Sequence, residues 1–294
     1  MLKNKIKKNN SCKNPKKCSD YKGYLTLWKE VGETPLEVVE NFKDENPKFQ
    51  NEKFAYAGRL DPMAEGKLLI LVGETCKERD KFLNLDKEYE FEILLGFKSD
   101  TKDILGLSEL NPGWRTTGFD KKWFNQKLKK YIGEIDLEYP VFSSRTVQNK
   151  PLFLWALEGR LNEIEIPRKK SEIYDLKLLS TKKIKAEFLE KQILEKIAKP
   201  KKVTDESKAL GKDFRREEVT KLWKKNFQKV NDDGLFILVK IQATVSSGTY
   251  MRTLAEKLAY EILEDYGLAF SIKRTKIGVF GGKFLNKKWW NKKF

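Results

Sequence analysis

The chain has 294 residues, of which 39% are hydrophobic and 35% charged, and its formal net charge is +17. This length suits one large domain or two small ones, and so large a positive surplus favours a polyanionic partner, most commonly nucleic acid. Histidine is absent, which excludes Ser-His-Asp, Cys-His and HExxH chemistry. Any catalysis must therefore use carboxylates, hydroxyls, phenols or cationic side chains.

Cysteine usage and hydropathy exclude further classes of protein. Cys12, Cys18 and Cys76 are scattered and form no CxxC pair, so neither a disulfide framework nor a zinc site is expected. No stretch approaches the roughly 18 consecutive apolar residues of a membrane span, and no apolar segment of a secretory signal follows the basic N-terminus. We therefore expect a cytoplasmic protein that makes no membrane contact and holds no metal.

The predicted elements mix strands and helices. Residues 1–22 carry eight lysines and one acid, which predicts a disordered basic arm. In chain order, the elements after it are a strand at Gly23–Trp28, a helix at Pro35–Phe42, strands at 67–72 and Glu88–Leu95, helices at 120–131 and Pro151–Gly159, a strand at Ile173–Leu179, a helix at 182–198, a loop at Lys199–Asp213, a helix at Phe214–Phe227, a strand at Leu235–Val245, a helix capped by Thr249 and running to about Tyr266, and a last strand at Leu268–Ile272.

This order lacks a βαβ rhythm. It predicts an α+β fold with a mixed, largely antiparallel central sheet flanked by helices. The strand at Glu88–Leu95 alternates, with Tyr89 on the apolar face and Glu88 on the opposite one, as in a half-buried strand. The strand at Leu235–Val245 alternates in the same way.

One acidic residue lies in a segment suited to holding it at a fixed angle. Asp61 precedes Pro62, which fixes φ, and Gly58 and Gly66 flank the pair and permit tight backbone geometry. From this segment alone, a catalytic loop and an ordinary Asp-Pro turn are equally good interpretations.

Three further residues are candidates for a site. Tyr89 lies on the apolar face of its strand, where periodicity alone predicts a core aromatic. Arg252 falls in the first turn of a helix, where a cation opposes the macrodipole unless a carboxylate lies nearby. Lys29 follows the first strand and is either a phosphate contact or a solvated side chain.

Seven motifs along the chain carry a resemblance to a known family. They lie at Leu27–Pro35, Gly58–Leu68, Gly73–Lys77, Asp86–Tyr89, Gly96–Gly106, Ser246–Arg252 and Arg274–Phe280. In these motifs and their order, the chain resembles the TruB-type tRNA pseudouridine synthases over roughly residues 23–282. The resemblance implies a pseudouridine synthase fold and the isomerisation of uridine to pseudouridine in RNA, at uridine 55 in the T-loop of tRNA. It implies a monomer that needs no cofactor.

The resemblance also implies roles for residues. Asp61 would act as nucleophile or charge stabiliser at the reacting nucleotide, Arg252 would orient it, and Tyr89 would stack on the flipped base and assist in removing its C5 proton. The substrate-binding residues would be Lys29, Tyr56, Gly58, Arg59 and Tyr250.

The chain departs from the family pattern at several places. Tyr56 replaces a histidine that serves substrate binding, and Arg59 echoes the ribosomal-RNA pseudouridine synthases. Residues 182–233 resemble a lysine-rich insertion, and a C-terminal PUA-type domain is expected to be missing. The basic aromatic tail at 283–294 would either bind phosphates and bases or pack on the body. The alternatives left open are a ribosomal-RNA pseudouridine synthase and a non-catalytic RNA-binding or RNA-folding protein on the same scaffold.

Overall fold

The computed structural model describes residues 23–114, 119–201, 213–231, 234–284 and 287–294, so the expected basic arm and most of the expected loop at Lys199–Asp213 lie outside the described residues. The strands are β1 Tyr24–Lys29, β2 Phe54–Tyr56, β3 Ala64–Val72, β4 Asp86–Leu95, β5 Phe97–Ser99, β6 Ser108–Leu110, β7 Gly133–Glu138, β8 Thr146–Val147, β9 Lys150–Pro151, β10 Arg168–Lys185, β11 Leu235–Val245, β12 Gly267–Phe284 and β13 Lys287–Lys293. The helices are α1 Pro35–Glu45, α2 Arg79–Leu83, α3 Lys121–Leu128, α4 Leu152–Leu157, α5 Ala186–Ala198, α6 Arg216–Phe227 and α7 Met251–Leu263. No helix among the described residues is long and apolar enough to cross a membrane.

A nine-stranded sheet forms the centre of the molecule. Its main order is β1-β3-β12-β4-β11-β10-β7, with β2 paired to β3 and β13 paired to β12. The pairing of β12 with β3 is parallel and the other pairings in this sheet are antiparallel. The predicted α+β class with a mixed, largely antiparallel sheet is confirmed.

The centre of the sheet carries the core and positions the candidate site. The predicted apolar face of β11 is fully buried, and α7 packs across β12 and β4. On β4, Tyr89 lies opposite Ala243 of β11 and Arg274 of β12. The first turn of α7 is thereby brought close to the middle of the sheet.

The prediction of a half-buried β4 is wrong at Glu88, which is only 1% exposed. Lys288 of β13 covers it, with its ammonium 3.2 Å from the Glu88 carboxylate and 2.9 Å from Asp175 on β10. The alternating pattern of β4 could not predict this cover, because Lys288 lies near the far end of the chain, on a strand that pairs with β12.

The C-terminal residues 287–293 form an edge strand of the sheet. Phe294 packs against Tyr24 and Phe82, with ring centroids 4.9 and 5.9 Å apart, and Trp290 packs against Phe280. Trp289 remains 47% exposed. Of the two interpretations of this tail, Trp290 and Phe294 follow the second, since both side chains pack on the body.

Several predicted boundaries are wrong: the strands predicted at Ile173–Leu179 and Leu268–Ile272 extend over Arg168–Lys185 and Gly267–Phe284, and two helices begin elsewhere than predicted. Residues 182–185 belong to β10 rather than to a helix, because β10 stays paired with β11 as far as Lys185 opposite Leu235. Thr249 is not the cap of α7, since Tyr250 takes the N-cap position and the Thr249 hydroxyl donates to the Ser246 carbonyl instead.

Candidate active site

Asp61 lies in the loop between β2 and β3. Gly58 has φ +99°, a conformation that L side chains rarely adopt, and the Ala64 N–H donates to the Asp61 carbonyl at 3.0 Å. The Asp61 side chain is 38% exposed. The loop therefore holds its carboxylate where it can meet both the protein and a substrate.

Arg252, in the first turn of α7, binds Asp61 directly. Its Nε donates to Asp61 Oδ2 at 2.8 Å, Nη1 donates to the Thr101 carbonyl at 2.9 Å, and Nη2 donates to the Phe142 carbonyl at 3.1 Å. The side chain is 3% exposed. Because all three guanidinium nitrogens are engaged, the direction of the Arg252–Asp61 pair is fixed.

A second carboxylate supports Arg252 from the interior. Asp103 Oδ2 lies 3.7 Å from Arg252 Nε, and Asp103 Oδ1 accepts hydrogen bonds from the Thr101 hydroxyl and the Leu105 N–H. Burial raises the pKa of Asp103 to about 6, against the pull of Arg252. Burial alone would lower the pKa of Arg252, but Asp61 and Asp103 outweigh it and raise that pKa.

The sequence assigned no role to Asp103. The signal that could have found it is the Ser-Asp-Thr-x-Asp spacing within Gly96–Gly106. Burying a carboxylate costs free energy unless a cation lies nearby. An acidic residue in a motif flanked by apolar residues therefore indicates a cationic partner elsewhere in the chain.

Of the two predicted tyrosines, Tyr250 lies close to this pair and Tyr89 lies in the main buried cluster. Tyr250 precedes α7, and its ring meets that of Tyr139 edge-on at 5.3 Å. Burial, and then the charge of Asp61, raises the pKa of Tyr250 to about 12, so its phenol is protonated at neutral pH. Tyr89 is 9% exposed and belongs to the same buried cluster as Leu60 and Met63, on either side of Asp61.

The interpretation of Lys29 as a phosphate contact or a solvated lysine is wrong. Its side chain is fully buried, and Nζ donates to the carbonyls of Ala64 at 2.6 Å and Glu30 at 3.0 Å, with Pro62 at 3.5 Å. Burial lowers the pKa of Lys29 to about 8. Lys29 therefore holds the backbone of the Asp61 loop from the protein interior and does not face solvent.

Arg274 of β12 fastens the same loop on its other side. It is 1% exposed, and it donates to the carbonyls of Gly58 at 3.2 Å, Arg59 at 3.4 Å and Lys67 at 2.7 Å. The sequence placed Arg274 in a motif but gave it no role. Two buried cations thus hold the backbone on both sides of Asp61.

The remaining predicted substrate contacts lie on or beside the Asp61 loop. Tyr56 ends β2 and is partly buried, which raises the pKa of its phenol, and Arg59 is exposed. Gly58 lies against Arg274, whose Nη1 would be 3.7 Å from a Cβ at this position. Their roles in substrate binding stay predictions. Among the described residues, no group of three or more potential acidic or cysteine ligands is placed to hold a metal ion.

Known proteins are similar to this chain in sequence. The model of the TruB family pseudouridylate synthase N-terminal domain matches residues 46–192, a range that contains Asp61, Tyr89 and Asp103. The chain is 28% identical over 262 residues to tRNA pseudouridine synthase B of Borreliella afzelii, covering 88% of this chain and 70% of that protein. It is 34% identical over 158 residues to tRNA pseudouridine synthase B of Caldicellulosiruptor saccharolyticus, covering 54% of this chain and 52% of that protein.

Among solved structures, the chain is similar to one from the crystal structure of a Cbf5-Nop10-Gar1 complex. The TM-score is 0.49 at 16% sequence identity, and the match covers 87% of this chain and 49% of that chain. The matches cover between 49% and 70% of the length of these three proteins. Since the family model matches half of its residues, this chain belongs to the TruB family of pseudouridylate synthases.

Proposed function

We propose that this protein isomerises uridine to pseudouridine in tRNA, at uridine 55 of the T-loop, with Asp61 acting at the reacting nucleotide. The observation that carries the proposal is the Asp61–Arg252 contact at 2.8 Å, with the guanidinium locked by two backbone carbonyls. Relatives named tRNA pseudouridine synthase B support tRNA as the substrate.

The chemistry explains what the site has to supply. The bond from C1′ of the ribose to N1 of the base breaks, a bond from C1′ to C5 forms, and the C5 proton moves to N1 through solvent or a side chain. The products have the same atoms and oxidation state as the substrate, so the reaction requires neither a redox cofactor nor a metal. A half-exposed carboxylate held by a buried arginine suits a nucleophile or charge stabiliser.

The target base has to leave its stack before this chemistry can occur. In the proposal, Tyr89 stacks on the flipped base and assists in removing the C5 proton, and Tyr250 lines the same pocket. Tyr56, Gly58 and Arg59 contact the RNA around the loop. The net charge of +17 attracts the phosphates without reading sequence. We further propose that the protein acts as a monomer in the cytoplasm.

The test is to incubate an unmodified tRNA transcript with the purified protein alone and to map pseudouridines in it. We expect one new pseudouridine at position 55 with the wild type and none with Asp61→Asn. Ribosomal RNA fragments are treated in parallel, because Arg59 echoes the ribosomal enzymes. Modification of those fragments but not of tRNA would overturn the tRNA assignment, and tight binding of both without modification would favour an RNA-binding or RNA-folding protein.

A further inference from the structure

Arg215 reaches the neighbourhood of the active site from the segment between β10 and β11. It directly precedes α6, and its Nη1 donates to Asp100 Oδ2 at 2.6 Å. Its guanidinium also lies over the ring of Phe142, 4.5 Å from the ring centroid. The side chain is 15% exposed, so both contacts are largely shielded from water.

The two partners of Arg215 adjoin the two carbonyls that hold Arg252. Asp100 is followed by Thr101, whose carbonyl accepts from Arg252 Nη1, and Phe142 itself supplies the carbonyl that accepts from Nη2. Arg215 therefore bridges, from the outer side, the same two backbone segments that Arg252 bridges from within.

The backbone at Arg215 indicates that its placement is maintained by these contacts. Its φ and ψ are +58° and +29°, a left-handed conformation that is unfavourable for a residue with a side chain and persists where the surroundings enforce it. The next residue, Arg216, donates to the carbonyls of Ile197 and Ala198 at the end of α5. This joins α6 to α5 close to Arg215.

The end of α5 also touches the Asp61 loop through one intermediate. A Cβ at Gly32 would lie 2.8 Å from the Lys199 backbone, so these two segments of the chain are in close contact. The Gly32 N–H donates to the Pro62 carbonyl at 2.9 Å. The described part of the segment between β10 and β11 thus meets the active-site loops at Gly32, Asp100 and Phe142.

We propose that Arg215 is a positioning residue for pseudouridine formation. It fixes the carbonyls of Thr101 and Phe142, which fix Arg252, which in turn directs the Asp61 carboxylate at the substrate. This inference rests on the proposed function, and it assigns to the predicted lysine-rich insertion a part in catalysis that is separate from its charge.

The first test compares Arg215→Met with Lys224→Met, which removes the same charge from an exposed position on α6. We expect Arg215→Met to lower the single-turnover rate on saturating tRNA about tenfold, since small misplacements of reacting groups cost one to two orders of magnitude. Its Kd for tRNA should stay within about twofold of the wild type. Lys224→Met should keep the wild-type rate.

Arg215→Lys separates positioning from folding. It keeps a cation for Asp100 but loses the flat stacking on Phe142, so we expect a rate between those of the wild type and Arg215→Met. A wild-type rate in Arg215→Met would overturn the proposal. So would a loss of tRNA affinity as large as the loss of rate, because Arg215 would then be an RNA contact.

The second test needs no activity. Amide hydrogen exchange is followed in peptides covering residues 100–107 and 140–146, where the Leu107 N–H donates to Asp100 at 2.8 Å. We expect faster exchange in both peptides for Arg215→Met and wild-type exchange for Lys224→Met. Unchanged exchange in both peptides would overturn the proposal that Arg215 fixes these two segments. If the wild type forms no pseudouridine, the proposed function is overturned. Hydrogen exchange then still decides whether Arg215 fixes these two segments.

Discussion

At the scale of the residue, Arg252 lies between two carboxylates that differ in exposure. The Asp61 side chain is 38% exposed and that of Asp103 is 5% exposed. Asp61 can therefore meet a substrate, whereas Asp103 can act only through Arg252. We therefore assign the reaction with substrate to Asp61 and the positioning of Arg252 to Asp103.

The support given by Asp103 should depend on pH. Its pKa is raised to about 6, so the carboxyl becomes neutral as the pH falls through that value and no longer attracts Arg252. We expect the single-turnover rate to fall between about pH 7.5 and about pH 5.5. Asp103→Asn should lower the rate at the higher pH about tenfold and flatten this part of the profile.

The control for this prediction is tRNA affinity, which Asp103→Asn should leave close to the wild-type value. A variant with the wild-type rate and the wild-type pH profile would show that Asp103 does not support the reaction.

The sequence predicted the Asp61–Arg252 pair because both residues lie in recognisable motifs. It did not predict the burial of Lys29 or the role of Arg274. The partners of Lys29 at Pro62 and Ala64 are 33 and 35 residues away, and Arg274 reaches back 207 residues to Lys67. A local pattern shows that a lysine follows a strand, but not which loop will close over it.

At the scale of the element, β13 is held to the sheet by a buried ionic cluster. Lys288 lies between Glu88 of β4 and Asp175 of β10, and it also donates to Gln242 and Thr244 of the intervening β11. Both carboxylate side chains are 2% exposed. One cation thus ties β13 to three other strands.

We expect Lys288→Met to lower the free energy of unfolding by about 3 kcal/mol, because removing one partner leaves buried carboxylates with less compensation. Urea denaturation measures this, with Lys292→Met on an exposed position of the same strand as the control. Equal losses in the two variants would show that Lys288 adds nothing beyond a surface lysine.

Alternation in the sequence predicted the apolar faces of β4 and β11 correctly, but it could not show that Glu88 is covered, because β13 lies about 200 residues further along the chain. The segment at 182–185 contains three lysines, which are good helix formers, so its local preference favours a helix. Pairing with β11 decides its structure, which is a property of the folded sheet.

At the scale of the whole molecule, burial lowers the pKa of several lysines among the described residues below their ordinary range. Burial lowers the pKa of Lys87 to about 7 and those of Lys29 and Lys196 to about 8. The unfolded chain keeps these protons up to a pKa near 10.4. Between those values the unfolded state binds more protons than the folded state, so stability rises with pH.

Lys196 tests this without touching the active site. Its Nζ donates to the Phe270 carbonyl at 2.9 Å. We expect the gain in unfolding free energy between about pH 7.5 and about pH 9.5 to be smaller in Lys196→Met by about 1–2 kcal/mol. Lys191→Met, on an exposed position of α5, should keep the wild-type gain. The same gain in both variants would contradict the account of Lys196.

Composition and motif order were sufficient to predict the fold class and the family, since a surplus of +17 and seven ordered motifs are properties of the whole chain. They were not sufficient to place Arg215, the residue before α6, against Asp100 and Phe142. Those contacts depend on packing between segments more than 70 residues apart along the chain.

The role of Asp61 is tested by comparing Asp61→Asn with the wild type on one tRNA transcript, recording the single-turnover rate of pseudouridine formation and the Kd. Asparagine keeps the shape of the side chain and its contact with Arg252 but removes the carboxylate. For Asp61→Asn we expect no detectable turnover and a Kd within about twofold of the wild type. Turnover at the wild-type rate, or a loss of binding that parallels the loss of rate, would contradict this role of Asp61.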